Sequence, residues 1–265
     1  MAHIRAYTPK EGYAAVVRRG RDEIKFLEMG ILRLAAGGTY RTAAEGDEVV
    51  IVLFGGLANI QVGDVRFDGA GGRATVFGGR ATAVYVPAGS RVKVEAVSAV
   101  EAALIRTPAE PGGEPALIPP ERIKVVPHAQ AAGTVEEHRI IGPEFPARRL
   151  FVGETHAAGG TWAHYPPHKH DQSLAPDEAA LEEVGFFRFD PPGGFALQYL
   201  YSPGGAPGEP LVLGDDTIVK IPHGFHPIAV PPAWRLYGLW ALAGEERAWA
   251  WRTDPDHPPV GAGMA

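Results

Sequence analysis

Two histidines one residue apart, His168 and His170, stand in the stretch YPPHKHD at residues 165–171. Side chains alternate along a strand, so the two imidazoles share a face while Lys169 and Asp171 point away. Glu183 follows thirteen positions later at the head of an apolar run, and His226 comes directly after a Pro222-x-Gly224 turn. Three imidazoles and a carboxylate on neighbouring strands make a nitrogen and oxygen shell for a divalent first-row cation. Zn, Mn, Fe, Co and Ni all suit that donor set. The His-x-His pair alone is a weak motif; its setting gives it weight. Eight of the ten histidines fall between His128 and His226. Glu182 competes with Glu183 for the fourth place, but its parity is opposite.

The elements that must position these groups read as short strands. The 34 Gly and 25 Pro are dispersed and punctuate runs rich in Val, Ile, Phe and Tyr, the pattern of an all-β chain. Val49 to Phe54 is continuously apolar and ends at Gly55-Gly56, as a strand buried on both faces would be. The segment PDEAALEEV, Pro176 to Val184, carries the main helical signal. Pro and Gly are dense between Glu110 and Gly133, which suggests a connection between two halves. The halves repeat in outline: VYVPAGSRVKV at 84–94 matches VKIPHGFHPIAV at 219–230. The expectation is two jelly-roll-like β-barrels from an internal duplication, residues 1–125 and 126–265. The first copy lacks the histidines, so only the second can hold a metal.

Bulk properties narrow the function. The chain of 265 residues has 45% hydrophobic residues and a net charge of −6, which argues for a packed core and against a nucleic-acid groove. No Cys is present, which removes thiolate ligands and Cys nucleophiles. No apolar run approaches the roughly 20 residues of a membrane span, and the start lacks a secretory apolar core. A soluble cytoplasmic protein is expected, and barrel edges with exposed aromatics are compatible with a homo-oligomer.

The order His-x-His, Glu, Pro-x-Gly, His resembles the cupin superfamily, small β-barrels with a metal in the mouth. The stretches TWAHYPPHKHD, LEEV, PPGGFALQYLYS, IPHGFHPIAVPP and LAGEERAWAWRTDPDH are similar to the 5-deoxy-glucuronate isomerase family, bicupin enzymes of bacterial inositol breakdown. The first half, with GGRATVFGGRATAVYVPAGS, resembles that family's metal-free barrel. The resemblance implies that His168, His170, Glu183 and His226 are the metal ligands. It also implies isomerisation of 5-deoxy-D-glucuronate to 5-dehydro-2-deoxy-D-gluconate. The chain departs from the family at Gly185-Phe186-Phe187 and at Tyr237-Gly238-Leu239-Trp240, where tyrosines and a polar residue are usual. Both departures remove polar groups from the expected pocket wall.

Candidate contacts to a sugar acid are Gln198, His164, Arg188 and Tyr237. Arg188 suits a carboxylate because its guanidinium is planar, although its parity is opposite to that of Glu183. Gln198 is preferred over Tyr201, which lies at the opposite parity. Lys169 and His223 are expected in solvent, and the five Trp in the core or at an interface. No residue is singled out as the proton carrier. Two alternatives share these residues: a cupin dioxygenase, and a non-catalytic sugar-acid binder.

Overall fold

The computed structural model describes residues 3–21, 23–202 and 208–257. Among them the only helical element is one 3-10 turn, Pro120–Arg122, and every strand pairing is antiparallel. The weak helical signal over 176–184 does not produce a helix. Residues 174–178 make a turn closed by a bridge between Leu174 and Glu178, and the strand Leu181–Asp190 begins just beyond. Tertiary packing overrides the local helical signal there, because the apolar residues from Leu181 onward are needed on both faces of a sheet.

Each half of the chain builds one large and one four-stranded sheet, and the second half adds a two-stranded ribbon. In the first, a six-stranded sheet has Asp47–Gly55 between Thr82–Val86 and Val100–Pro108, and a four-stranded sheet carries Leu57–Val62 and Arg91–Ala96. In the second, Leu181–Asp190 runs between Thr217–Ile221 and Arg235–Gly244 in a seven-stranded sheet. A four-stranded sheet with Ala196–Leu200 and Ile228–Ala229 lies opposite it. The repeat extends to backbone conformation: Gly89 and Gly224, at matching places in the two Pro-x-Gly turns, both have left-handed φ, 88° and 94°.

One strand breaks the expected division at residue 125. Ile4–Ala6 pairs with Thr217–Ile221 and forms the outer edge of the second barrel's large sheet. The backbone groups on that side of Thr217–Ile221 are thereby paired rather than left as an open edge. The remaining first-half strands stay with the first barrel up to Ala116–Ile118, and Lys124–Gln130 joins the second.

The two large sheets pack against each other through their outer faces, which explains the unbroken apolar runs. Along Asp47–Gly55, Val49, Ile51 and Leu53 fill the first barrel. Val50, Val52 and Phe54 point out and meet Val184, Phe186, Tyr237 and Leu239 of the second. Apolar burial on both faces drives this arrangement. Two carboxylates lock it reciprocally. Glu48 of the first barrel accepts hydrogen bonds from the backbone N–H of Arg148, Arg149 and Leu150, at 2.6–2.8 Å. Glu182 of the second accepts three from Lys25, Phe26 and Leu27, at 2.6–2.7 Å. The two glutamates occupy matching places in the repeat, one position before Val49 and Glu183 respectively.

Candidate metal centre

The histidine segment is tied down by main-chain and carboxylate contacts. His168 lies in a two-residue strand, His168–Lys169, paired with Arg252–Thr253. The backbone N–H of Leu181 donates to the carbonyl of His170 at 2.7 Å. Lys169 donates to Asp171 and, at 2.7 Å, to Glu178. Asp171 in turn accepts the backbone N–H of Gly224 at 2.7 Å, which fixes the turn carrying His226 to the segment carrying His170. A Cβ at Gly224 would meet the Tyr201 carbonyl at 2.8 Å, so both backbone conformation and space call for glycine there. Gln198 donates to the carbonyl of His226 at 3.2 Å.

These supports converge on Glu183. Nε2 of His170 lies 3.2 Å and Nε2 of His226 lies 3.4 Å from Glu183 Oε2. Nδ1 of His170 donates to the Leu181 carbonyl at 2.8 Å, and Nδ1 of His226 to the Gly224 carbonyl at 3.0 Å. A main-chain acceptor on Nδ1 leaves the Nε2 lone pair of a neutral imidazole free for a metal. Nδ1 of His168 is aimed at the Pro166 carbonyl at 3.4 Å, a longer contact of the same kind. Two trios of ligand atoms, each within 4.8 Å of one another, share His226: His170, Glu183 and His226, and His164, His168 and His226.

Burial sets the charge states. It holds His168 well below the ordinary imidazole value, with the neighbouring His226, His164 and His170 rings acting the same way. It takes His226 down to about 4, against the pull of Glu183, and lowers His164. For His170 burial is outweighed by the hydrogen bond and charge of Glu183, and its value is raised. Burial would raise the Glu183 carboxyl, but the His226 and His170 imidazoles hold it far below the usual range. His164, His168 and His226 are thus held as neutral imidazoles beside an ionised carboxylate, the forms that ligate metals, whereas His170, whose proton Glu183 favours, must release it to bind one. His226 Nε2 is buried and has no hydrogen-bond partner among the described residues. A divalent cation fits this donor set and would satisfy that atom.

The site opens on a cleft of about 220 Å³ whose lining includes His164, His168, His170, Glu183, Thr155, Glu137 and Trp240. Leu242, Trp162, Trp249 and Trp251 add apolar walls. Four of the five tryptophans therefore line the cleft, although Trp240, with Trp249 against it, also belongs to a buried apolar cluster around Phe151, as expected of a core residue. They come from distant parts of the chain, and only the barrel's closure brings them together. Gly153 has no side chain where the Trp240 ring lies. Glu137 and Thr155 were not singled out in the sequence. Their signal is parity with core residues, Glu137 with Val135 along Gly133–Ile141 and Thr155 with Ala157 along Phe151–Ala157.

Other candidates lie elsewhere. Arg188 faces the other barrel, where it forms ion pairs at 2.8 Å with Glu101 and Asp216 over the Phe54 and Phe186 rings; its opposite parity decides this. Tyr237 is likewise on the outer face, fully buried, and donates to Glu154 at 2.8 Å. Neither lines the cleft. Lys169 is buried in its carboxylate pair rather than solvated. Gln198 faces inward beneath His226, whereas Tyr201 donates to Asp254; His164 lines the cleft and His223 is exposed. Of the two departures noted above, Phe186 and Leu239 face the other barrel. The Phe187 ring occupies the space that side chains at Gly185 and Gly238 would need, with Cβ positions 2.8 and 3.0 Å from it.

A profile of the KduI/IolB family matches residues 4–260. The chain belongs to this family. It is 38% identical over 228 residues to the 5-deoxy-glucuronate isomerase of Geobacillus kaustophilus, covering 84% of this chain and 82% of that protein. It is 31% identical to the Bacillus subtilis protein of the same name, over 91% and 90% of the two chains. A crystal structure of an IolB-like protein from Salmonella typhimurium superposes with a TM-score of 0.92 at 27% identity, covering 96% of this chain and 97% of that one. Oxalate decarboxylase superposes at 0.69 with 10% identity, covering 94% of this chain and 78% of that one, a likeness of fold. The architecture is a bicupin. Among the described residues no helix is long and apolar enough to cross a membrane.

Proposed function

We propose that this chain is a metal-dependent ketol isomerase converting 5-deoxy-D-glucuronate to 5-dehydro-2-deoxy-D-gluconate in inositol breakdown. The observation that carries the reading is the convergence of His170 and His226 on Glu183, beside His168, at the wall of an apolar cleft. The names of the relatives support the substrate.

Moving a proton between adjacent carbons of an aldose places negative charge on oxygen. A divalent cation bound to His168, His170, Glu183 and His226 supplies the Lewis acidity that stabilises such charge. The chain's own residues do the rest. Trp240, Trp249, Trp251 and Leu242 narrow the water around the reacting atoms, which strengthens every polar contact made there. Among the cleft's lining residues, His164 Nδ1 is the buried side-chain atom without a hydrogen-bond partner. We assign it to a substrate hydroxyl. Gln198 holds the His226 backbone and so acts on the ligand rather than on the sugar.

The test is metal analysis of the purified chain, followed by NMR of 5-deoxy-D-glucuronate incubated with it. The expected result is a bound divalent metal and appearance of the ketose without oxygen uptake. Metal retained without conversion points instead to a sugar-acid binder. Oxygen consumption points to a dioxygenase.

A further inference from the structure

A second cluster of metal-competent side chains lies on the opposite face of the same sheet. His138, on Gly133–Ile141, and Glu154 and His156, on Phe151–Ala157, point away from the cleft and toward the first barrel. One ligand atom from each lies within 4.8 Å of the others. The His138 and His156 rings are 4.5 Å apart between centroids. His138 is 5% exposed and Glu154 fully buried.

Two nitrogens in this cluster have nothing to bond. His138 Nδ1 and His156 Nε2 are both buried without a hydrogen-bond partner among the described residues. Leaving such a group unmet is costly, because it loses its hydrogen bonds to water and gains none in return. His138 also has an outer carboxylate: its Nε2 lies 3.1 Å from Glu136 Oε2. A proton on Nε2 shared with Glu136 leaves the Nδ1 lone pair facing the cluster, the carboxylate–histidine arrangement that orients metal-binding imidazoles. Both oxygens of Glu154 are engaged, Oε1 more fully than Oε2. Its Oε1 accepts from Arg73 at 2.6 Å and from Tyr237 at 2.8 Å, and its Oε2 accepts from Arg73 at 3.1 Å. Oε2 keeps one acceptor direction, and His156 Nε2 stands 3.7 Å from it.

We propose that His138 Nδ1, His156 Nε2 and Glu154 Oε2 form a second binding site, for a borderline divalent cation such as zinc, separate from the cleft. Two imidazoles and a carboxylate are a zinc-type donor set, with a fourth position for water. Arg73 already neutralises much of the Glu154 charge, so this site is the weaker of the two. Its place beside Arg73 and Tyr237, where the barrels meet, makes it a structural clasp on the outer face of the sheet rather than a reaction centre.

Equilibrium dialysis of the untagged, chelator-stripped chain against saturating zinc tests this. The expected count is two zinc ions per chain for the parent, one for the double variant His138→Asn/His156→Asn, and one for the double variant His170→Ala/His226→Ala, which takes two donors from the cleft. Zinc should still raise the melting temperature of His170→Ala/His226→Ala, and should not raise that of the variant carrying all four substitutions. A parent that binds no more zinc than the folded double variant His138→Asn/His156→Asn overturns the proposal. Should that double variant not fold, parent crystals soaked in zinc decide the matter. An anomalous peak between His138 Nδ1 and His156 Nε2 supports the site, and no peak there beside one at His226 overturns it.

Discussion

Glu182 and Glu183 are neighbours on one strand and serve opposite sides of it. Glu182 accepts three backbone N–H groups from residues 25–27 of the first barrel. Glu183 receives the imidazoles of His170 and His226 inside the second. The period of two along a strand separates a contact between the barrels from the candidate metal centre across one peptide unit. Removing each carboxylate should therefore break a different property. Glu182→Ala should lower unfolding free energy by about 3 kcal/mol, since three N–H groups lose a charged acceptor. Glu183→Gln should weaken metal binding about 100-fold or more, whereas Glu182→Ala leaves every donor of the candidate centre in place. Urea titration and metal-competition measurements on the two variants distinguish these effects; a swapped pattern would contradict the assignment.

The paired turn glycines give a controlled comparison. Gly89→Ala meets no atom within 4 Å and suffers only from its φ of 88°, a cost of about 1 kcal/mol. Gly224→Ala has the same conformational strain and also drives Cβ against the Tyr201 carbonyl. It should cost about 2–3 kcal/mol and displace His226, which is anchored to the Gly224 carbonyl. Metal content should fall in Gly224→Ala and hold in Gly89→Ala.

Lys169 should behave as a buried structural cation. Its ammonium bridges Asp171 and Glu178, and Asp171 also holds the His226 turn. Lys169→Ala leaves two carboxylates facing each other with no countercharge, and stability should drop by about 3 kcal/mol. Metal affinity should fall with it. A solvated lysine would give no measurable change in a thermal melt.

Acid should weaken the barrel interface. Burial alone would raise the Glu154 carboxyl, but the Arg73 guanidinium outweighs it and holds the value down to about 2. A carboxyl depressed on folding contributes stability that is complete above its unfolded value and is lost as pH falls toward the folded one. For Glu154 the window runs from about pH 5 to about pH 2, and the contribution is about 3 kcal/mol. Urea midpoints of the metal-free chain across this window should fall with acidity. Glu154→Gln should be less stable at neutral pH and have a shallower fall.

The sequence and the structure agree most closely where local rules are strong. Zero cysteines confined any metal shell to imidazole and carboxylate. The His-x-His spacing, the Pro-x-Gly turn and the offset of Glu183 marked which segments could meet, and the repeat of that turn signalled duplicated barrels. Glu182 and Arg188 had their faces assigned by parity alone. The Pro176–Val184 helix failed because propensity is weak beside burial on two faces of a sheet.

Other features required the folded chain. Leu181–Asp190 and Arg235–Gly244 are apolar on both faces, so alternation sorts their residues into two sets without saying which set lines the barrel and which meets its twin. That is why Tyr237 read as a pocket residue and is instead joined to Glu154 and Arg73. The cleft's tryptophans, from positions 162, 240, 249 and 251, and the pairing of Ile4–Ala6 with the far barrel depend on contacts between segments distant in sequence. By itself the sequence determined the donor chemistry and the face each donor takes. Only the tertiary structure decided which face became cleft and which became interface, because that choice belongs to the packing of whole sheets rather than to any local run of residues.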